Sequence, residues 1–213
     1  AADALALYDE LYGPYPYQRL AVVQGDFPDG MEFSGLVFVG RAWFKAWQDV
    51  PNDWLTVITA HEVAHQWWYA SVGNDQGINP YLDEMLSIYS ELLFLEHTYP
   101  EFVDWWWAWR IEAYQPEGYV DATVYEFYSI RSYINAVYLR GALMMKALRA
   151  EIGDSVFLAW LKDYADQMRG KVATPADFWG ALPTAAYNAT TEIRQHYLRY
   201  PDILAKVSAA DMP

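Results

Sequence analysis

Residues 58–75 read ITAHEVAHQWWYASVGND, and residues 81–91, a few positions on, read YLDEMLSIYSE. The first stretch carries His61-Glu62-Val63-Ala64-His65, two histidines four apart with a glutamate after the first. On a helix, that i, i+4 spacing puts both imidazoles on one face, where both reach one tetrahedral cation. Glu62 then stands where a general base takes the proton of a metal-held water. The bland alternative is coincidence on a core helix. With only 4 histidines in 213 residues, that coincidence is expected in roughly 0.4% of such chains.

A catalytic zinc site keeps three protein ligands and an open position. The chain has no cysteine, so the third ligand must be a His or a carboxylate, and thiolate zinc sites, disulfides and cysteine nucleophiles are excluded. Glu84 stands nineteen residues after His65. A turn across Gly73 to Asn79 folds its segment back on the first, with Asp83 and Glu91 as rival carboxylates. One Zn²⁺ per chain is the expected cofactor.

Working outward, Asn52 or Asp53 caps a helix running to about Ser71, which Gly73 ends. Asn79 and Pro80 offer a cap and a first-turn proline for a second helix from Pro80 to about His97. Upstream, residues 3–12 read as a short helix stopped by the turn Gly13-Pro14-Tyr15-Pro16. Arg19 to Gln24 and Leu36 to Val39 read as strands, joined by a loop that carries Met31 and Glu32. Further helices are predicted near 101–113, 126–151, 154–169 and 175–182. The fold class is therefore α+β, mostly helical, with a small N-terminal sheet.

The net charge of −14 argues against nucleic acid or an anionic membrane as the main partner, since both attract a basic face. No run approaches the roughly 18 apolar residues of a membrane span. The chain begins at Ala1 rather than Met, and residues 1–213 are read as one catalytic domain of a longer protein with flanking domains. The compartment stays open.

The two opening stretches together resemble the zinc signature of the aminopeptidase N and leukotriene hydrolase family of gluzincins. That pattern is H-E-x-x-H, eighteen residues, then a ligand Glu in a W-L-[ND]-E-G-like segment. The resemblance implies a thermolysin-like zincin catalytic domain with His61, His65 and Glu84 as ligands and Glu62 as general base. Gln66, Trp67 and Tyr89 continue the match; Tyr81 stands where Trp is usual and Met85 where Gly is usual. Upstream, Gly30-Met31-Glu32-Phe33 is similar to the family's G-x-M-E-N loop, whose Glu binds the substrate's free α-amine. Downstream, Tyr138-Leu139-Arg140-Gly141 is similar to its Y-x-K-G segment, whose Tyr donates to the oxyanion; Tyr133 is the rival. The implied activity is zinc-dependent release of N-terminal amino acids from peptide substrates. The alternatives are an endopeptidase or non-peptide hydrolase on the same site, and a peptide-binding or assembly module with a vestigial site. Trp105, Trp106, Trp107 and Trp109 are read as core or pocket wall, His97 and His196 as surface or core histidines, and Arg140 as either site-facing or a structural ion pair.

Overall fold

The computed structural model describes residues 1–204. Helix α1 (Ala2–Tyr12) buries Ala4, Leu7, Tyr8 and Tyr12, the spacing of one apolar face, and stops at Gly13, whose φ of 94° a side chain would resist. Strands β1 (Ala21–Gly25), β2 (Gly30–Met31) and β3 (Leu36–Gly40) follow. They form a sheet of order β1-β3-β2, with β1 parallel and β2 antiparallel to β3. Val37 and Val39, two apart on the central strand, are fully buried. The sheet lies against the first long helix of the site, so the residue after β2, Glu32, reaches the site from its edge.

A short helix α2 (Arg41–Ala46) leads to α3 (Trp54–Ala64), which Asp53 caps by accepting from the Thr56 amide at 2.9 Å. The cap is one of the two predicted; the end is not the predicted one. Helix α3 stops at Ala64 rather than near Ser71, and His65, its C-cap, still has right-handed backbone angles. Tertiary anchors override the helical pattern here. Gln66 accepts from the Gly35 amide and donates to the Phe33 carbonyl, Trp67 donates to Gly13 O, and Trp68 donates to Ser90 Oγ. The chain then forms β4 (Val72–Asn74), which pairs in parallel with β5 (Lys171–Ala173). Three-residue strands carry too little alternation to be read from sequence.

The predicted helix from Pro80 begins as a 3₁₀ turn, Pro80–Leu82, and becomes α4 (Glu84–Thr98) only at Glu84. The Asn79 side chain makes no capping bond. Every residue of α4 from Met85 to Leu95 is buried, as befits a helix enclosed on all sides. The region predicted as helix 101–113 is a 3₁₀ turn, a brief α5 (Val103–Trp105), and a π turn over Trp106–Ile111. The predicted 126–151 helix is likewise divided. Phe127 is extended, Ser129 caps α6 (Ile130–Tyr133), and a π turn over Ile134–Leu139 joins α7 (Arg140–Ile152). Helices α8 (Asp154–Met168), α9 (Pro175–Gly180), α10 (Thr184–Ala189) and α11 (Thr191–Tyr197) complete the lobe. The protein is α+β and mostly helical, and no helix among the described residues is long and apolar enough to cross a membrane.

Candidate active site

Helices α3 and α4 pack side by side and bring three side chains to one point. His61 and His65 Nε2 lie 3.0 Å apart, and Glu84 Oε2 lies 3.3 Å from each. Ligands at about 2.0–2.1 Å from a tetrahedral zinc stand about 3.3–3.4 Å from one another, close to this triangle. The far side of each ring explains the arrangement. His61 Nδ1 is 2.9 Å from Glu91 Oε1, and His65 Nδ1 is 2.5 Å from Asp83 Oδ1. A carboxylate only accepts, so each Nδ1 carries a proton, and Nε2 is the atom that presents a lone pair whenever the ring is neutral. Two buried lone pairs aimed at each other repel unless a cation or a proton lies between them. The donor set fits zinc: two neutral imidazoles and one carboxylate, with their outer nitrogens tied to acceptors.

Asp83 and Glu91, the rival carboxylates of the sequence, thus meet the Nδ1 atoms on the far side of the rings. Glu91 is fully buried and gathers Trp106 Nε1 at 2.9 Å and Arg110 at 2.8 and 3.0 Å. Burial pushes its carboxyl up, but Arg110 and His61 outweigh that and hold it near pKa 2. Burial likewise disfavours a charged His61, yet Glu84 and Glu91 raise the ring to about 9. Glu84 is held well below the carboxylate range by His65 and His61 against the opposing pull of burial.

Glu62 is buried, with Oε2 lacking a hydrogen-bond partner among the described residues. Burial lifts its pKa to about 7, opposed by His61 and His65, which suits a group that must take and return a proton near neutrality. The backbone of Gly30 passes so close that a Cβ there would overlap the Glu62 carboxyl. Two residues on, Glu32 offers an oxygen within 4.8 Å of ligand atoms of both Glu62 and His65. Phe33 points outward, 48% exposed.

Tyr138 stacks on His61 with ring centroids 5.9 Å apart, and Tyr133 meets Tyr138 edge-on at 5.4 Å. In an α-helix residues five apart diverge; the π turn, with its i→i+5 bonds, brings these two to one side. Burial and the Glu84 charge push both hydroxyls above their ordinary pKa, so both stay protonated donors. Met85 is buried against Gly141, where a Cβ would lie 2.8 Å from Met85 Cγ. It fills the helix contact rather than the open side of the site. Arg140 turns away, donating to the His196 carbonyl at 3.1 Å and lying over Tyr197. His97 and His196 are exposed. Of the tryptophans, Trp106 is buried and Trp109 is 62% exposed.

Residues 1–197 match the description of the Peptidase family M1 domain. The chain belongs to peptidase family M1. Among its relatives, aminopeptidase N of Lactobacillus delbrueckii subsp. lactis is 30% identical over 227 residues, covering 94% of this chain. Endoplasmic reticulum aminopeptidase 2 of Homo sapiens is 25% identical over 192 residues, covering 84% of this chain and 20% of that protein. This chain spans 26% of the length of the Lactobacillus relative. The fold is similar to the M1 zinc metallopeptidase from Deinococcus radiodurans, with TM-score 0.70 at 22% identity, covering 92% of this chain and 43% of that one. A mutant of the same enzyme bound to a Tyr-Ser-Ala substrate superposes equally well, at 0.70.

Arg110, Ser87 and Gln76 escaped the sequence reading, and Trp106, read there only as core or pocket wall, also donates to Glu91 behind the site. Ser87 Oγ lies 3.0 Å from His65 Nδ1, and Ser87 shares a helix face with Glu84 and Glu91 by i, i+3 and i, i+4 steps, a signal that was available. Trp106 and Arg110 have no such cue, because a π turn sets their register.

Proposed function

We propose that this domain is a zinc metallopeptidase that releases N-terminal amino acids, with His61, His65 and Glu84 holding one Zn²⁺. The observation that carries the reading is the triangle of two Nε2 atoms and one carboxylate oxygen, at 3.0, 3.3 and 3.3 Å, with both Nδ1 atoms engaged behind it. Zinc bound there supplies Lewis acidity, polarising a carbonyl and lowering the pKa of a coordinated water to about 7. Glu62 takes the proton of the attacking water and delivers it to the leaving amine, a role its raised pKa supports. Tyr138 donates its hydroxyl hydrogen to the oxyanion as charge develops there. Glu32 pairs with the substrate's α-ammonium and so measures the distance from chain end to scissile bond. The peptide is the substrate partner, residues 1–213 act as the catalytic domain, and flanking domains of the parent protein complete the cleft; the 26% coverage of the Lactobacillus relative supports that last point.

The alternatives differ in what they need from Glu62 and Glu32. A vestigial binding module has no use for a carboxylate with a raised pKa beside two metal-ligand histidines. An endopeptidase has no use for Glu32. The test is turnover of an aminoacyl-coumarin substrate by wild-type and Glu62→Gln protein. Zinc content should stay equal, and turnover should fall by about 10³-fold or more, because an amide cannot accept the proton. Equal turnover by the two proteins would rule out Glu62 as the base.

A further inference from the structure

Gln76 lies outside every helix and strand, and none of the roles above uses it. Its side-chain nitrogen nevertheless bridges two carboxylates at the site. Nε2 is 3.1 Å from Glu32 Oε1 and 2.5 Å from Asp83 Oδ2. Both neighbours only accept, which fixes the amide orientation with its nitrogen toward them. Asp83 continues the chain to His65 Nδ1 at 2.5 Å. One line of hydrogen bonds therefore runs Glu32, Gln76, Asp83, His65.

The loop that carries Gln76 is braced on both sides. Asp75 Oδ1 accepts from the Gly77 and Ile78 amides at 3.0 and 3.1 Å, and Asp75 O accepts from Asn79 N at 2.7 Å. Asn74 Nδ2 donates to Asn79 O, and Val124 N donates to Gly77 O at 3.1 Å. Tyr125 Oη covers Gly77, 2.8 Å from where a Cβ would stand. The donor is thus presented by a fixed backbone, as precise positioning requires. It also has a task to perform. Glu32, Asp83 and Glu84 offer oxygens within 4.8 Å of one another, and like charges at that range drive an untethered side chain away.

We propose that Gln76 is a positioning residue for amine recognition: it holds Glu32 in place for the ammonium of a peptide with a free N-terminus, and links it through Asp83 to the ligand His65. This rests on the assignment of Glu32 as the amine-binding carboxylate, and the experiment separates the two.

Gln76→Met keeps the side-chain length and removes both donated bonds. Its zinc content should match wild type. The ratio of kcat/KM for a free tripeptide over its N-acetylated form should fall about tenfold, mostly through KM, as expected for loss of an oriented charge contact. In a Glu62→Gln background, where turnover is expected to be about 10³-fold slower, calorimetry should show the same loss of affinity for the free tripeptide and none for the acetylated one. Gln76→Ala repeats the measurement should the methionine pack badly. If Glu32→Ala lowers the ratio while both Gln76 variants keep it at the wild-type value, the positioning role is refuted and the Glu32 assignment stands. If Glu32→Ala itself leaves the ratio unchanged, the assignment fails and the Gln76 role with it. Equal losses on both peptides with reduced zinc would make Gln76 a structural residue only, and would also refute the proposal.

Discussion

At the scale of single residues, the site is organised by what stands behind each histidine. Glu91 and Asp83 bind Nδ1 and leave Nε2 facing Glu84, so they set tautomer and aim without joining that triangle. Glu91→Gln keeps an acceptor toward His61 but removes the charge that Arg110 neutralises and to which Trp106 donates. Zinc affinity should fall about 10- to 100-fold, the usual cost of losing an outer-shell partner, while stoichiometry at saturating zinc stays at one. Competition with a chromophoric chelator reads this directly, and unchanged affinity would mean that Glu91 serves only the core. The two tyrosines are also separable here. Tyr138→Phe should lower kcat by roughly 10²–10³ with zinc retained, as for loss of one oxyanion donor. Tyr133→Phe should cost far less. The reverse order would move the donor role to Tyr133.

At the scale of elements, one departure from regular helix and one close strand passage shape the site. The π turn over Ile134–Leu139 turns Tyr133 and Tyr138 to one side, and the close passage of β2 sets Gly30 against Glu62. Gly30→Ala should therefore displace the Glu62 carboxyl and abolish most turnover while leaving zinc bound. A Gly30→Ala enzyme with wild-type kcat would show that Glu62 tolerates movement. These elements also mark where sequence was legible. The helix carrying His61 and Glu62, a cap at Asn52 or Asp53, and the Glu84 carboxylate nineteen residues after His65 were readable, the first two because i, i+4 spacing and capping are local rules. The early end of α3 after His65 was not, because it follows from Gln66 and Trp67 bonding to Gly35 and Gly13, far away in sequence. The π turns were invisible for the same reason. A long apolar-periodic run such as 126–151 carries no local mark of an inserted residue. Met85 in place of Gly reads as an oddity in sequence and becomes intelligible only beside Gly141.

At the scale of the whole molecule, the buried ionisable cluster ties stability to pH and metal. Glu91 has its folded pKa depressed from 4.5 to about 2, so its contribution is present above about pH 4.5 and lost as pH falls toward 2. His61 has the opposite sign. Its folded pKa, without metal, is raised from 6.5 to about 9, so its contribution is present below pH 6.5 and lost as pH rises through 9. Zinc binding needs the unprotonated ring. The Tm difference between zinc-loaded and chelator-treated protein should therefore widen from pH 6.5 to 9. A difference that stays flat over that interval would mean that His61 carries no proton for the metal to displace.

The most direct test of the central claim is elemental analysis of protein purified without chelator, run beside His61→Ala, His65→Ala and Glu84→Ala. Wild type should hold about one zinc per chain, and each variant should fall to a small fraction of that after dialysis against metal-free buffer. Wild type without zinc, or Glu84→Ala retaining a full equivalent, would contradict the ligand set on which the whole reading rests.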